Sequence, residues 1–422
     1  MRNRYIITLS LAIALLVPAS LFASGFGYYE HGAKATAMAG AFVGRADDVT
    51  AVFYNPAGIA FLEGTHIHIG MHPVSASTTA KIMGTSIDGT TDTLFPATVF
   101  LSKKLTDKIA VGFGFFVPFG LSSDWSAGWI GNQLSYHTAI RSYYFQPTIA
   151  YKVNDQLSIG AGIDIVRSKV ELSRNSLAVI PISPLLPPLA VGVDTVLDAT
   201  GSGYGVNLGL LYKFSPKFNI GFSYKSEISI DYEGDVDFTP VRTGIALVDG
   251  TIDAIFYDQT ARTTIKMPQI FVVGTAFKPA ERFKMQVDLQ WTGWSSFETL
   301  EFDLDNDMLD AVDPSDWEDA FTFRVGGEYM LDPFWALRAG YIYDQGAIPD
   351  ATLKPLLPDA DRNELTFGIG YDTVESCCWG RVAFDFALQY IMFNDHTSTF
   401  SLFPASYESS ALIIGMGFTY SF

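Results

Sequence analysis

Residues able to do chemistry are few in this chain, and they form no catalytic pattern. A G-x-S-x-G elbow, H-E-x-x-H, a P-loop and a G-x-G-x-x-G opening a helix are missing from the sequence. His66 and His68 share one face of an extended segment without a third ligand, so they read as polar wall residues and not as a zinc site. Cys377 and Cys378 are adjacent and are the only cysteines. They exclude a disulfide-stapled scaffold and a Cys-based metal site. The acidic run Asp303, Asp305, Asp307, Asp310, Asp313, Asp316, Glu318 and Asp319 lacks the Gly and closing Glu of an EF-hand and reads as a solvated loop. What remains is hydrophobic. Leu177, Val179, Ile180, Ile182, Leu185, Leu186, Leu189 and Val191 crowd one connection. A loop this apolar implies capture of a greasy solute, with Leu185, Leu186 and Leu189 as ligand-binding candidates, or packing over a neighbouring opening. The chain reads as a non-enzyme with no cofactor and no metal.

Composition says what must position these residues. The chain has 422 residues, a formal charge of −18, 48% hydrophobic, 14% aromatic and 17% charged residues. Average chains carry about 25% charged residues, so this one is charge-poor. Intrinsic disorder is excluded, and so is a nucleic-acid partner, which needs clustered Lys and Arg. Arg2 and Arg4, an apolar run from Tyr5 to Val17, Pro18 and Ala23 have the layout of a secretory signal peptide over residues 1–23. Without Arg2 and Arg4 the mature charge is −20, from 45 acidic and 25 basic residues.

No later stretch is apolar for long enough to span a membrane as a helix, which takes about 20 residues. Period-2 alternation is everywhere instead. Ile109, Val111, Phe113 and Phe115 alternate with Ala110, Gly112 and Gly114, and Val382, Phe384, Phe386, Leu388 and Tyr390 with Ala383, Asp385, Ala387 and Gln389. One large apolar face and one small or polar face mean lipid outside and lumen inside. Strands are expected over 66–82, 92–104, 108–118, 138–153, 156–175, 198–214, 217–237, 259–277, 281–301, 318–331, 334–345, 361–374, 379–395 and 409–422. The fold class is thus all-β: a 14-stranded antiparallel transmembrane β-barrel. Short links alternate with long ones, as periplasmic turns alternate with extracellular loops. The last strand closes on Phe418, Tyr420 and Phe422, the kind of end that the barrel assembly machinery reads. By alternation Lys266 and Arg338 point inward, where acids such as Asp288 or Asp385 would pair with them. The location is the outer membrane, among its lipid and lipopolysaccharide.

Residues 24–64 do not fit the barrel of 65–422. Ala33–Val43 is rich in small residues and helix-compatible, and Pro56 and Gly58 stop regular structure. The economical place for this segment is the lumen, as a partly helical plug. A general diffusion porin would not need one. The segment SGFGYYEHGAKATAMAGAFVGRADDVTAVFYNPAGIAFLEG resembles the N-terminal hatch of the FadL/TodX family. The shared features are Gly25-Phe26, Ala39-Gly40-Ala41, Asp47-Asp48 and Asn55-Pro56-Ala57, and GFGFFVPFGLSSDW (Gly112–Trp125) resembles the family's third strand. The resemblance implies a monomeric barrel that takes up long-chain fatty acids or other hydrophobic small molecules, with aromatic-hydrocarbon uptake as the alternative and a general porin as a lesser one. It implies gating at Gly25, Phe26, Asn55, Pro56 and Ala57 and lateral exit at a kink in the third strand, here Pro118, Phe119 and Gly120. Pro118 sits at the end of its expected strand, where it need not donate to a ladder. The resemblance also places a lumen Arg on strand five, here Arg167 beside Lys169, at the ligand head group. Alternation disagrees: Arg167 shares the face of Ile163 and Ile165, so only a bulge would turn it inward; otherwise it is interfacial.

Overall fold

The computed structural model describes residues 25–180, 189–373 and 380–422. The expected signal peptide, and Cys377 and Cys378, lie outside them. With interrupted strands counted once, 14 antiparallel strands form one sheet. They are β1 (Thr65–Met71 and Val74–Ile82), β2 (Ala97–Lys104), β3 (Ile109–Asp124), β4 (His137–Lys152), β5 (Leu157–Ile180), β6 (Leu189–Ser215), β7 (Phe218–Lys225 and Ile228–Pro240), β8 (Gln259–Met267 and Ile270–Ala280), β9 (Phe283–Thr292), β10 (Ala320–Met330), β11 (Trp335–Asp344), β12 (Arg362–Asp372), β13 (Arg381–Phe393) and β14 (Ser406–Ser421). Each pairs with the next, and β14 returns to β1 through Ile69↔Phe418 and Ala76↔Ala411. Closure gives every wall strand a neighbour on both sides over at least part of its length, as lipid demands of a backbone that water cannot reach.

The two faces divide as the residue types require. Ile163 is 55% exposed on the outside and Asp164 2% exposed inside. Ile149, Leu208, Phe367 and Phe386 are exposed, while Ser158, Asn207, Thr366 and Gln389 are buried. Parity fails where strands break. Pro268 and Gln269 interrupt β8, so outward residues are even-numbered before the break (Arg262, Lys266) and odd-numbered after it (Phe271). Lys266 therefore faces outward, a correction to the inward expectation. A proline cannot donate to the ladder, and the resulting break shifts the alternation by one residue. Arg338 does point inward, and it pairs with Asp385.

Two expected loops are partly regular structure. The apolar connection after β5 continues as ladder up to Ile180↔Leu189. Its Val and Ile content favours strand, and helix α3 (Ala246–Ile255), from the link after β7, covers it. Val248 and Ile252 pack on Ala178, Ile180, Val191 and Val193, with Leu189 at their edge. Leu185 and Leu186 lie outside the described residues. β3 also runs past Pro118 to Asp124, so Pro118 is inside a strand and not at its end. A bulge between Phe116 and Phe119 absorbs it.

Candidate functional site

Residues 25–64 lie against the inner wall. They carry α1 (Ala33–Thr36), α2 (Ala51–Tyr54) and a 3₁₀ turn, Pro56–Phe61. Small wall residues let this backbone approach. A methyl group on Gly160 would overlap Pro56, and one on Gly221 would overlap the carbonyl of Val43. Asn55 is fully buried. Its amide donates to Val43 O at 2.9 Å and to Leu210 O of β6 at 3.1 Å, and its Oδ1 accepts from Ala57 N. Pro56 starts the 3₁₀ turn, where its missing N–H is no loss. Asp288 of β9 accepts from Phe42 N and Val43 N, both at 2.9 Å. Below these, Glu328 of β10 sits between Arg45 at 2.6 Å and Arg338 at 2.7 Å, and Arg338 reaches Asp385 at 2.5 Å. The segment is thus held by charge on one side and by amide hydrogen bonds on the other.

Its first residues do something different. β2 pairs with β3 only as far as Val99↔Phe115. Beyond that, β3 has no wall strand on this side through the Pro118 bulge among the described residues. Residues 26–28 occupy the free edge. Tyr28 N donates to Pro118 O at 2.8 Å, Gly120 N donates to Phe26 O at 3.2 Å, and Gly27 bridges Phe119. Phe26 is buried edge-on against Phe119, Trp294, Phe297 and Trp317. Gly25 has φ +54°, and any side chain there would strike Trp317 and Trp294. Gly25 and Phe26, expected to gate, and the bulge residues thus lie together, which no spacing in the sequence reveals.

The same end is tied to the long link after β11. Gly25 N donates to Asp359 Oδ2 at 3.2 Å, and Ala347 N donates to it at 2.9 Å. Burial pushes the Asp359 carboxyl up to about 6, against the pull of Arg362 and these N–H donors. The folded value lies above the unfolded one of about 3.9. The stabilisation is therefore full below that pH and lost as pH rises through about 6. The thermal midpoint of the detergent-solubilised protein is expected to fall over that range, and Asp359→Asn to flatten the fall. Equal slopes in the two proteins would show that Asp359 is not the titrating group.

Above the segment is a cavity of about 210 Å³. Phe26, Tyr29, Phe53, Phe116, Phe119, Tyr144, Ile228, Ile270 and Trp294 supply apolar wall. Three cations line it: Arg362, paired with Asp344 at 2.9 Å, and Lys225 and Arg324. Lys225 Nζ lies 4.0 Å from the centre of the Phe53 ring and donates to Phe53 O at 2.8 Å. Arg324 stacks on Tyr29 at 4.3 Å and gives one N–H to Gln290, while its buried Nε has no partner. Asp164, with Oδ1 unpartnered, lines the same space, as do Glu30, Asp344, Asp359 and Glu364. A cavity with an aromatic wall and charged groups gathered beside it suits an amphiphile.

Residues 14–422 match the family model described as outer membrane protein transport protein (OMPP1/FadL/TodX). The chain belongs to the FadL/TodX family. It is 23% identical over 440 residues to the long-chain fatty acid transport protein of Escherichia coli O6:H1, covering 98% of each chain. It is 24% identical to the 47 kDa outer membrane protein of Pasteurella multocida, covering 100% of this chain and 99% of that one. Its fold matches a FadL homologue of Pseudomonas aeruginosa at a TM-score of 0.85 and 21% identity, covering 94% of this chain and all of the other. It matches the toluene transporter TodX of Pseudomonas putida at 0.73 and 18%, covering 94% of this chain and 100% of that one. This FadL/TodX protein is an outer-membrane transporter of hydrophobic compounds and not an enzyme.

Within this FadL/TodX barrel, Arg167 is exposed on the outer wall, and β5 runs past it without a register shift. The bulge that would have turned it inward is not there, so Arg167 does not line the cavity. Sequence reasoning missed Lys225 and Arg324. The signal was available. Lys225 shares parity with Gly221 and Ser223, and Arg324 with Thr322 and Gly326, both on small, polar faces. The acidic run is dispersed. Asp310 caps Leu304 N, Asp313 meets Lys354, and Asp319 accepts from Ser295 N. His66 and His68 bond Ser421 and Thr419 of β14.

Proposed function

We propose that this protein takes up long-chain fatty acids, with residues 24–64 as a hatch and exit beside Pro118, Phe119 and Gly120. What supports the substrate class is that two of the lining cations, Lys225 and Arg324, lie beside the aromatic wall and have no ion pair among the described residues. A neutral hydrocarbon gains at most a cation–π contact from them, whereas a carboxylate gains charge-assisted hydrogen bonds. The relative from Escherichia coli O6:H1 is named for long-chain fatty acid transport. The aromatic wall itself favours a second reading, in which a neutral ring compound is carried as by TodX.

The gate is residues 26–28 acting as a removable strand. Two backbone hydrogen bonds and one aromatic side chain close the free edge of β3. A ligand can open it only by binding more tightly to the state in which Phe26 is displaced. Asn55, Pro56 and Ala57 hold the rest of the hatch still, so movement is confined to the first residues. The test is a reversible lock. Antiparallel bridge partners sit about 4.5–5.5 Å apart at Cα, within reach of a disulfide. Gly27→Cys/Phe119→Cys, made with Cys377→Ser and Cys378→Ser, is expected to lose about tenfold in oleate uptake when oxidised and to recover on reduction, an effect equal to about 1.4 kcal/mol. Uptake that ignores the redox state would remove residues 26–28 from the gate. Residues 1–23 act as the export signal in this reading.

A further inference from the structure

Arg167 is left without a role by the cavity, and its surroundings suggest another. It is the eleventh residue of β5, and a strand crosses a bilayer in about 9–11 residues. Since short turns of outer-membrane barrels face the periplasm, and β5 leaves the short link after β4, Arg167 sits at the outer-leaflet boundary. Tyr143 pairs with it on β4 and is exposed, as is Tyr204 one rung below on β6. These belong to an aromatic girdle. Beneath them Ile163, Val206 and Leu208 are exposed to acyl chains.

One rung above, Lys169 lies opposite Arg141. Arg141 is tied to Glu171 at 2.7 Å, and Lys169 to Glu171 at 3.0 Å and Asp198 at 2.7 Å. These pairs hold both side chains in place and leave further N–H donors, since a guanidinium has five and an ammonium three. Arg167 has no hydrogen bond or ion pair to any described residue. It lines a shallow cleft with Lys169, Thr200 and Ser202. Asp231 and Glu233 close the far side, the first taken by Thr264 at 2.8 Å and the second by Arg262 at 2.9 Å. An unpaired guanidinium at a lipid boundary, with a lysine and two hydroxyls beside it, is a phosphate acceptor.

We infer that Arg167, Lys169 and Arg141 bind the phosphate of an outer-leaflet glycolipid whose acyl chains lie on the Ile163–Leu208 belt. A free phosphate would not use the belt. A neutral lipid would not use the arginine.

The test uses the full-length protein in phosphatidylcholine nanodiscs, with bis-phosphorylated lipid A as probe and native mass spectrometry as readout. Arg167→Gln/Lys169→Gln is expected to weaken lipid A binding about tenfold. Lys278→Gln, at the opposite rim and paired with Glu281, is expected to leave it unchanged. Lipid A stripped of its phosphates is expected to bind as weakly to wild type as intact lipid A binds to the double variant. Heat-modifiable gel migration reports that each barrel is folded. Equal binding by wild type and the double variant overturns the site. Equal binding of the phosphate-free lipid overturns the phosphate assignment, and full displacement by inorganic phosphate overturns the lipid assignment.

Discussion

Glu328→Ala is expected to release the hatch and turn a closed barrel into a leaking one. Glu328 is buried between Arg45 of the hatch and Arg338 of the wall. Removing it leaves two guanidiniums facing each other, away from water. Breaking a buried pair in this way costs about 3–5 kcal/mol. That is about two orders of magnitude or more in the docking equilibrium. Asp47 and Asp385 would each still hold one arginine, and the link left between the charged side of the segment and the wall would be the longer, more exposed Asp47–Lys284 pair at 3.4 Å. Liposome swelling in a small sugar reads the leak directly, and the thermal midpoint reads the stability. Glu328→Gln keeps hydrogen bonding without the charge and is expected to fall between the two. A Glu328→Ala barrel as tight and as stable as wild type would mean that the remaining contacts, those of Asn55, Asp288 and Asp47 among them, suffice to hold the hatch.

Lys225→Met is expected to separate acid uptake from hydrocarbon uptake. Methionine keeps the length and apolar stem of lysine, so the packing on Phe53 and Phe116 survives. What disappears is the charge. A hydrogen bond to a charged group is worth about 1.5–3 kcal/mol, so oleate uptake by cells expressing the variant should fall about tenfold or more. Toluene uptake should stay within about twofold. Parallel loss of both would assign Lys225 to holding the hatch through Phe53 O. Retention of both, with toluene the better substrate, would establish the hydrocarbon reading. The oleate assay separates carriers of acids from carriers of rings because only one of the two has a head group to neutralise.

The barrel was legible because lipid imposes a strict rule on each strand. Every wall residue must choose between acyl chains and lumen, so Phe384, Phe386 and Leu388 alternate with Asp385 and Ala387 over a length set by the bilayer. The inner face was legible for the same reason, and Lys225 and Arg324 could have been read from it. Interruptions were not. Pro268 inverts parity within β8 and carries Lys266 outward, and nothing local says whether a chain resumes in the same register after a break. The apolar stretch near Leu177 and Val191 reads as loop by position, yet a helix from a distant link covers one side of it.

The sequence by itself determined the strand pattern, the compartment and the presence of a small-residue segment that the wall could not contain, because these depend on composition and period. Arg167 also obeyed its parity, against the role that resemblance implied for it. Only the tertiary structure decided that β2 stops pairing with β3 at Phe115, that Gly27 fills the resulting edge opposite Phe119, and that Glu328 joins Arg45 to Arg338. Those contacts join residues far apart in the chain. Which glycine meets which carbonyl across a lumen is set by closure of the whole barrel and not by any window of sequence.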